Sequence, residues 1–179
     1  VMNQFEEVAV AYNIPISYHF AGELDLDALT RAFYAMVARH ESLRTVFRED
    51  EDGEIKQFIN SPGSSPFNIT FMDIRYDRQQ QEALPGLVLA AIGRPFDLVN
   101  GPLLNAFLYQ VEDNKWVFAY VMHHIIGDGW SMNVMMNDLM VFYDAYTRNE
   151  PPGLAPLKIQ YKDYTAWQLE MMNATDSNN

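Results

Sequence analysis

Leu103-Leu104-Asn105-Ala106-Phe107-Leu108-Tyr109-Gln110-Val111 and Trp116-Val117-Phe118-Ala119-Tyr120-Val121-Met122 are two apolar, aromatic-rich runs separated only by Glu112-Asp113-Asn114-Lys115. Two β-prone segments joined by a short polar stretch predict an antiparallel hairpin. Its second strand runs directly into His123-His124-Ile125-Ile126-Gly127-Asp128-Gly129-Trp130-Ser131. A buried strand thus ends where a helix is about to start, a junction that commonly carries a site. Side chains alternate along a strand, so His124 shares a face with Met122, Tyr120 and Phe118, and His123 shares the other with Val121 and Ala119. Only one of the two imidazoles can face a given cleft.

Downstream of this junction, Ser131 is read as the N-cap of a helix that carries Met132, Met135, Leu139, Phe142 and Tyr146 on one face, a core stripe. Upstream, Asp25 is a good N-cap for a helix whose apolar positions Leu26, Leu29, Phe33, Met36 and Val37 recur at helical spacing to about Ala38. Val46–Phe47 and Ile55–Phe58 flank the acidic turn Glu49 to Glu54 and predict two strands. A Pro/Gly/Ser loop from Ser61 to Pro66 precedes an alternating strand over Phe67 to Asp73, and Arg78 to Ile92 reads as helical despite Pro85. Asn173 to Asn179 turns polar and is expected to fray. Strands and helices mixed in this way predict an α/β fold, a two-layer sandwich of a mixed β-sheet with helices.

The chain of 179 residues is 49% hydrophobic and 13% aromatic and has no cysteine, which suits one compact domain or lobe and excludes a disulfide-stapled scaffold. Absent thiols fit a reducing cytoplasm. Twelve Lys and Arg against 24 Asp and Glu give a formal charge of -12, which repels a phosphate backbone, so nucleic acid is not an expected partner. The longest apolar runs fall far short of the roughly 18–20 residues that cross a bilayer, and Val1 to Ala11 lacks a basic-then-apolar secretion pattern. No membrane partner is expected, and the chain is read as cut from within a longer protein.

Histidines on opposite faces of a strand cannot share one metal without a bend, and no third ligand stands at a zinc spacing, so no metal site is expected. An imidazole can take a proton from an amine or hydroxyl nucleophile near neutral pH, which makes His124 the candidate for proton transfer. The alternative is that both histidines are core residues satisfied by backbone, and the pair alone leaves both readings open. Asp128 lies between two glycines, where its carboxylate can turn back into the protein; buried, it would need a cation. Arg44, entering an apolar strand after a helix, is the best candidate, although two unrelated surface charges fit the same spacing. There is no phosphate-cradling Gly-rich loop, Gly-x-Ser-x-Gly elbow or Cys nucleophile.

His123-His124-Ile125-Ile126-Gly127-Asp128-Gly129 resembles the His-His-x-x-x-Asp-Gly signature of condensation domains of nonribosomal peptide synthetases, members of the chloramphenicol-acetyltransferase-like superfamily. Arg39 to Phe47 resembles that family's Arg-His-Glu-x-Leu-Arg-Thr-x-Phe motif, and Tyr161 to Trp167 its Tyr-x-Asp-Tyr-x-x-Trp motif. Pro95-Phe96-Asp97-Leu98 and Gly101-Pro102-Leu103-Leu104 are also typical, and the resemblance covers essentially the whole chain. It implies that residues 1–179 form a chloramphenicol-acetyltransferase-like lobe, the N-terminal one of two, truncated at both ends and lacking the C-terminal lobe.

The resemblance further implies amide formation, in which the amine of an acceptor aminoacyl thioester attacks a donor acyl or peptidyl thioester. Both substrates ride on the phosphopantetheine of partner carrier proteins, and the lobe itself binds no cofactor. The partners are donor and acceptor carriers, the C-terminal lobe and neighbouring synthetase domains. His124 matches the tunnel-facing histidine, as general base or as a group that holds the amine. His123 and Asp128 match structural positions, Asp128 pairs with Arg44, and Gly129 keeps the loop open beside the substrate. Loss of either partner of that pair is then expected to strand a buried charge. Carrier proteins are acidic, so a charge of -12 calls for a local basic patch, with Arg31, Arg39, Arg75 and Arg78 as candidates. The alternatives are an epimerisation domain, against which Gly129-Trp130-Ser131 argues, and a catalytically silent condensation-like scaffold, against which intact His124, Asp128 and Arg44 argue.

Overall fold

The computed structural model describes residues 10–64 and 67–176. The predicted hairpin forms as β5 (Leu104–Glu112) and β6 (Lys115–His123), in antiparallel register from Leu104 opposite Met122 to Glu112 opposite Lys115, with a bulge between Gln110 and Glu112. β6 is flanked on its other side by β1 (Asn13–Ala21), antiparallel, with Asn13 opposite His123. On the far side of β5, β4 (Ile69–Asp73) pairs in parallel, which completes a mixed sheet in the order β1-β6-β5-β4. β2 (Thr45–Glu49) and β3 (Ile55–Ile59) form a separate antiparallel pair around the acidic turn.

Helices cover both faces. α1 (Leu26–Arg39) and α3 (Gly129–Thr147) lie over the face that carries Leu104, Ala106, Leu108, Phe118, Tyr120 and Met122. α2 (Arg78–Ile92) brings Leu84, Leu87 and Val88 against Tyr109 and Val117 on the opposite face. The N-cap of α1 is Asp25, whose carboxylate accepts the Ala28 N–H at 2.9 Å, and Phe33, Met36 and Val37 of the predicted stripe are buried. In α3 the stripe Met132, Met135, Leu139 and Phe142 is buried in the same core, with Tyr146 packed on its edge.

Three elements depart from the sequence reading. α3 starts at Gly129 with Asp128 as its cap, three residues before the Ser131 cap that was expected, because the Asp128 side chain reaches the Ser131 N–H. β1 has no counterpart in the sequence reading; Ile14, Ile16, Tyr18 and Phe20 alternate along it, and as an edge strand it tolerates Pro15. The segment from Asn173 does not fray at once: α4 (Tyr161–Asp176) continues to Asp176, and the remainder of that expectation lies outside the described residues. α2 runs unbroken through Pro85.

Phe33 is 1% exposed and packs its ring against Phe67 at 5.7 Å and Phe118 at 5.6 Å, joining α1 to the sheet. Phe33→Ala should therefore cost about 3–5 kcal/mol in denaturant unfolding, as a large cavity in a packed core does.

Candidate active site

Every residue of β6 from Trp116 to His123 is buried, so the alternation of its side chains is fixed by two packed faces. His123 is the last residue of β6, opposite Asn13 of β1, and its N–H donates to the Leu103 carbonyl at 2.9 Å. Its ring lies beneath Tyr12 (stacked, 6.0 Å) and against the edge of Phe96 (6.0 Å). Nδ1 accepts the Ile125 N–H at 3.1 Å, which leaves Nε2 as the protonated nitrogen of the neutral ring. Burial, and after it the neighbouring His124, holds the His123 pKa below the ordinary 6.5. His123 thus works as a neutral strut of the turn.

His124 points the other way. Its backbone N–H donates to Tyr12 O at 2.8 Å, while its side chain is exposed and lines a cleft of about 540 Å³ with Met122, Gly127 and Asp128. The opposite walls come from the end of α1 (His40, Ser42, Leu43), from Met135 of α3 and from the extended segment at Leu157 to Gln160. Trp130 (80% exposed) and Ile125 (42%) stand at the rim. The turn between His123 and α3 is compact, with the Ile126 N–H donating to the His123 carbonyl at 3.1 Å. A Cβ on Gly127 would come within 2.8 Å of Met122 Cε and 3.1 Å of its Sδ, so a glycine is what lets the turn pass over this fully buried thioether. Gly129 has open space where a Cβ would lie.

Asp128 is exposed and does not pair with Arg44, which corrects the expected buried ion pair. Its Oδ1 accepts the Ser131 N–H at 2.8 Å and the Ser131 hydroxyl at 2.7 Å, and these bonds lower its pKa below the usual carboxylate value. Arg44 is partly buried elsewhere: Nη1 donates to the Asn60 carbonyl, and Nη2 stands 3.7 Å from Glu41 Oε1. The β2–β3 pairing brings Asn60 alongside Arg44, so Arg44 braces that hairpin and Asp128 caps α3. Nor do the four arginines proposed for a basic patch stand free. Arg31 pairs with Asp27, Arg39 with Asp138, Arg75 with Asp73 and Asp113, and Arg78 with Glu82.

Sequence reasoning gave no role to His40, Asp138 or Gln160, which meet at the cleft wall. No local signal marked Asp138, because its partners Arg39 and His40 stand about a hundred residues away in sequence. Among the described residues no group of three or more His, Cys, Asp or Glu is gathered to hold a metal, and no helix is long and apolar enough to cross a membrane.

The family model of the condensation domain matches residues 1–179, and the chain belongs to that family. Among sequence relatives, a linear gramicidin synthase of Brevibacillus parabrevis is 41% identical over 161 residues, covering 90% of this chain and 2% of that protein. Malpibaldin synthetase of Mortierella alpina is 37% identical over 170 residues, covering 95% of this chain and 3% of that protein. Among solved structures, the X-domain from teicoplanin biosynthesis superposes with a TM-score of 0.79 at 24% identity, over 96% of this chain and 38% of its own. The starter condensation domain of rhizomide synthetase RzmA gives 0.73 at 23% identity, over 82% and 35%. These likenesses bear out the α/β fold expected from the chloramphenicol-acetyltransferase-like resemblance.

Two measurements follow from this geometry. Arg44→Met and Asp128→Asn should be additive in denaturant unfolding, whereas a buried ion pair between them would show as coupling in the double-mutant cycle. The His123 pKa is depressed by folding, so the unfolded chain binds the extra proton first; stability is full above about pH 6.5 and falls as pH drops from there toward the folded value. Urea unfolding between pH 8 and 5 should show this loss in the wild type and a flatter profile in His123→Phe.

Proposed function

We propose that the chain is the N-terminal lobe of a condensation domain and that it forms amide bonds between carrier-bound thioesters in nonribosomal peptide synthesis, in a cytoplasmic synthetase. The observation that carries this reading is the placement of His124: in a chain of the condensation family, it is the one imidazole of the pair turned into the cleft. The chain spans 2–3% of the synthetases and 35–38% of the solved chains compared above, which supports a lobe that works within a larger assembly. α4 supports it as well, since Tyr161, Trp167, Leu169, Met171 and Met172 are all more than half exposed along it.

In the proposed reaction, the amine of the acceptor aminoacyl thioester attacks the donor thioester carbonyl. A C–N bond forms, the tetrahedral intermediate collapses, the C–S bond breaks, and the donor carrier's thiol leaves with a proton that balances the one lost by the amine. His124 accepts a hydrogen bond from the attacking amine and thereby orients its lone pair and relieves its developing charge. His123 fixes the turn that aims His124, Asp128 fixes the start of α3, and Gly129 leaves room beside the reacting groups. Arg44 supports the site only through the β2–β3 hairpin. Substrates arrive on the phosphopantetheine arms of donor and acceptor carriers. A double mutant of the RzmA starter condensation domain has itself been crystallised in complex with C8-CoA and Leu-SNAC.

The test is intact-mass spectrometry of donor-loaded and acceptor-loaded carriers incubated with the complete synthetase. The acceptor carrier should gain the donor's acyl mass, and His124→Ala should slow this by about 10²–10⁴-fold while leaving the thermal transition in place. A His124→Ala enzyme that condenses at the wild-type rate rejects the role assigned to this residue. Exchange of the aminoacyl α-proton with solvent in place of acyl transfer would make the protein an epimerase.

A further inference from the structure

The polar cluster at the end of α1 has no part in the reaction as described so far. Asp138 Oδ2 accepts from Arg39 Nε at 2.8 Å and lies 2.8 Å from His40 Nε2, and all three side chains are largely buried. Arg39 Nη1 also donates to the Ala155 carbonyl at 2.6 Å, while Gln160 Nε2 donates to the Arg39 carbonyl at 2.9 Å. Together these bonds hold the 155–160 segment, one wall of the cleft, against the end of α1. An ionised carboxylate can only accept, so the proton in the His40–Asp138 contact sits on Nε2. In the neutral ring Nδ1 then carries the lone pair, and among the described residues no protein group bonds to it.

His40 lines the same cleft as His124. The anchoring of Asp138 does not require the ring, because Arg39 already supplies a charged donor to the same oxygen and a second bond to the opposite segment. What the carboxylate does for His40 is fix its tautomer and leave Nδ1 as the acceptor nitrogen of a residue that lines the cleft. We propose that His40, oriented by Asp138, positions substrate by accepting a hydrogen bond from an amide N–H of the pantetheine arm. This rests on the condensation reading above. There the attacking amine is engaged by His124, and the remaining N–H donors of a pantetheine thioester are the secondary amides of the arm, which must lie along the cleft for the thioester to reach His124.

The experiment is steady-state condensation by the full-length protein with two acceptors of the same amino acid, its pantetheine thioester and its ethyl thioester, which has no arm amides. His40→Phe should raise KM for the pantetheine thioester about 10-fold at unchanged kcat, and leave the ethyl thioester unaffected. A role confined to holding the wall would depress both substrates alike, and that result, or no change in either, overturns the proposal. N-methylation of the arm amides removes the same contact from the substrate side without altering the fold. It should raise KM about 10-fold for the wild type and add nothing in His40→Phe; an unchanged wild-type KM also overturns the proposal. His124→Ala, run alongside, separates the two readings. If it abolishes turnover of both thioesters, the condensation reading stands whatever His40 does; if it does not, the assignment of His124 falls while the KM comparison still decides His40.

Discussion

The burial of β6 on both faces and both edges is the constraint from which the rest of the site follows. With β1 on one side, β5 on the other, α1 and α3 above and α2 below, the strand can neither slip nor rotate, because a slip of one residue would turn Phe118, Tyr120 and Met122 out of the larger core. That fixed phase extends one residue past the sheet. His123 stays in the packed layer with Tyr12 and Phe96, and His124, next in the alternation, emerges on the helix side, where the cleft opens. A pair of identical side chains thereby takes two different environments, one packed and one open to the cleft, and the division is made by strand geometry.

The turn after β6 converts this phase into a site. Ile126 is buried and its N–H closes onto His123, Gly127 lets the backbone lie on the Met122 thioether, and Asp128 starts α3 within a few residues of the strand's end. A short, internally bonded connection has little conformational freedom left to lose, which is what the proposed engagement of an amine by His124 requires. The buried, neutral imidazole of His123 adds to that stiffness, since its Nδ1 holds the backbone of the residue after His124.

How much of this was legible in the sequence depended on whether the deciding interaction was local. The β5–β6 hairpin, the helix capped by Asp25, the Met-rich stripe of α3 and the opposite facing of His123 and His124 all follow from periods of 2 and 3.6 read over a few residues, whereas the role expected of each imidazole came from the family resemblance. Asp128 was given the wrong partner because a residue-type argument cannot rank a distant arginine against a hydroxyl and an N–H three positions ahead. The near partner costs almost no chain entropy to reach, and it won. The Arg39–His40–Asp138–Gln160 cluster was hidden for the opposite reason: it joins three segments far apart in sequence, and each residue alone reads as a solvated polar position.

Electrostatics constrain how such a lobe meets its partners. With a formal charge of -12 and with Arg31, Arg75 and Arg78 tied to local carboxylates, the chain offers the acidic carriers of the proposed reaction no long-range attraction, and at physiological ionic strength fields beyond about 8 Å are screened in any case. Recognition at the cleft therefore has to be short-range. The mouth suits that, with Trp130, Ile125, Ile159 and Tyr161 exposed around a cleft whose polar lining includes His124, His40, Ser42, Asp128, Ser131 and Gln160. Apolar rims of this kind hold a ligand through the area they remove from water, and leave orientation to the small number of directional bonds inside. In the proposed reaction the rim supplies the affinity and the two imidazoles the alignment.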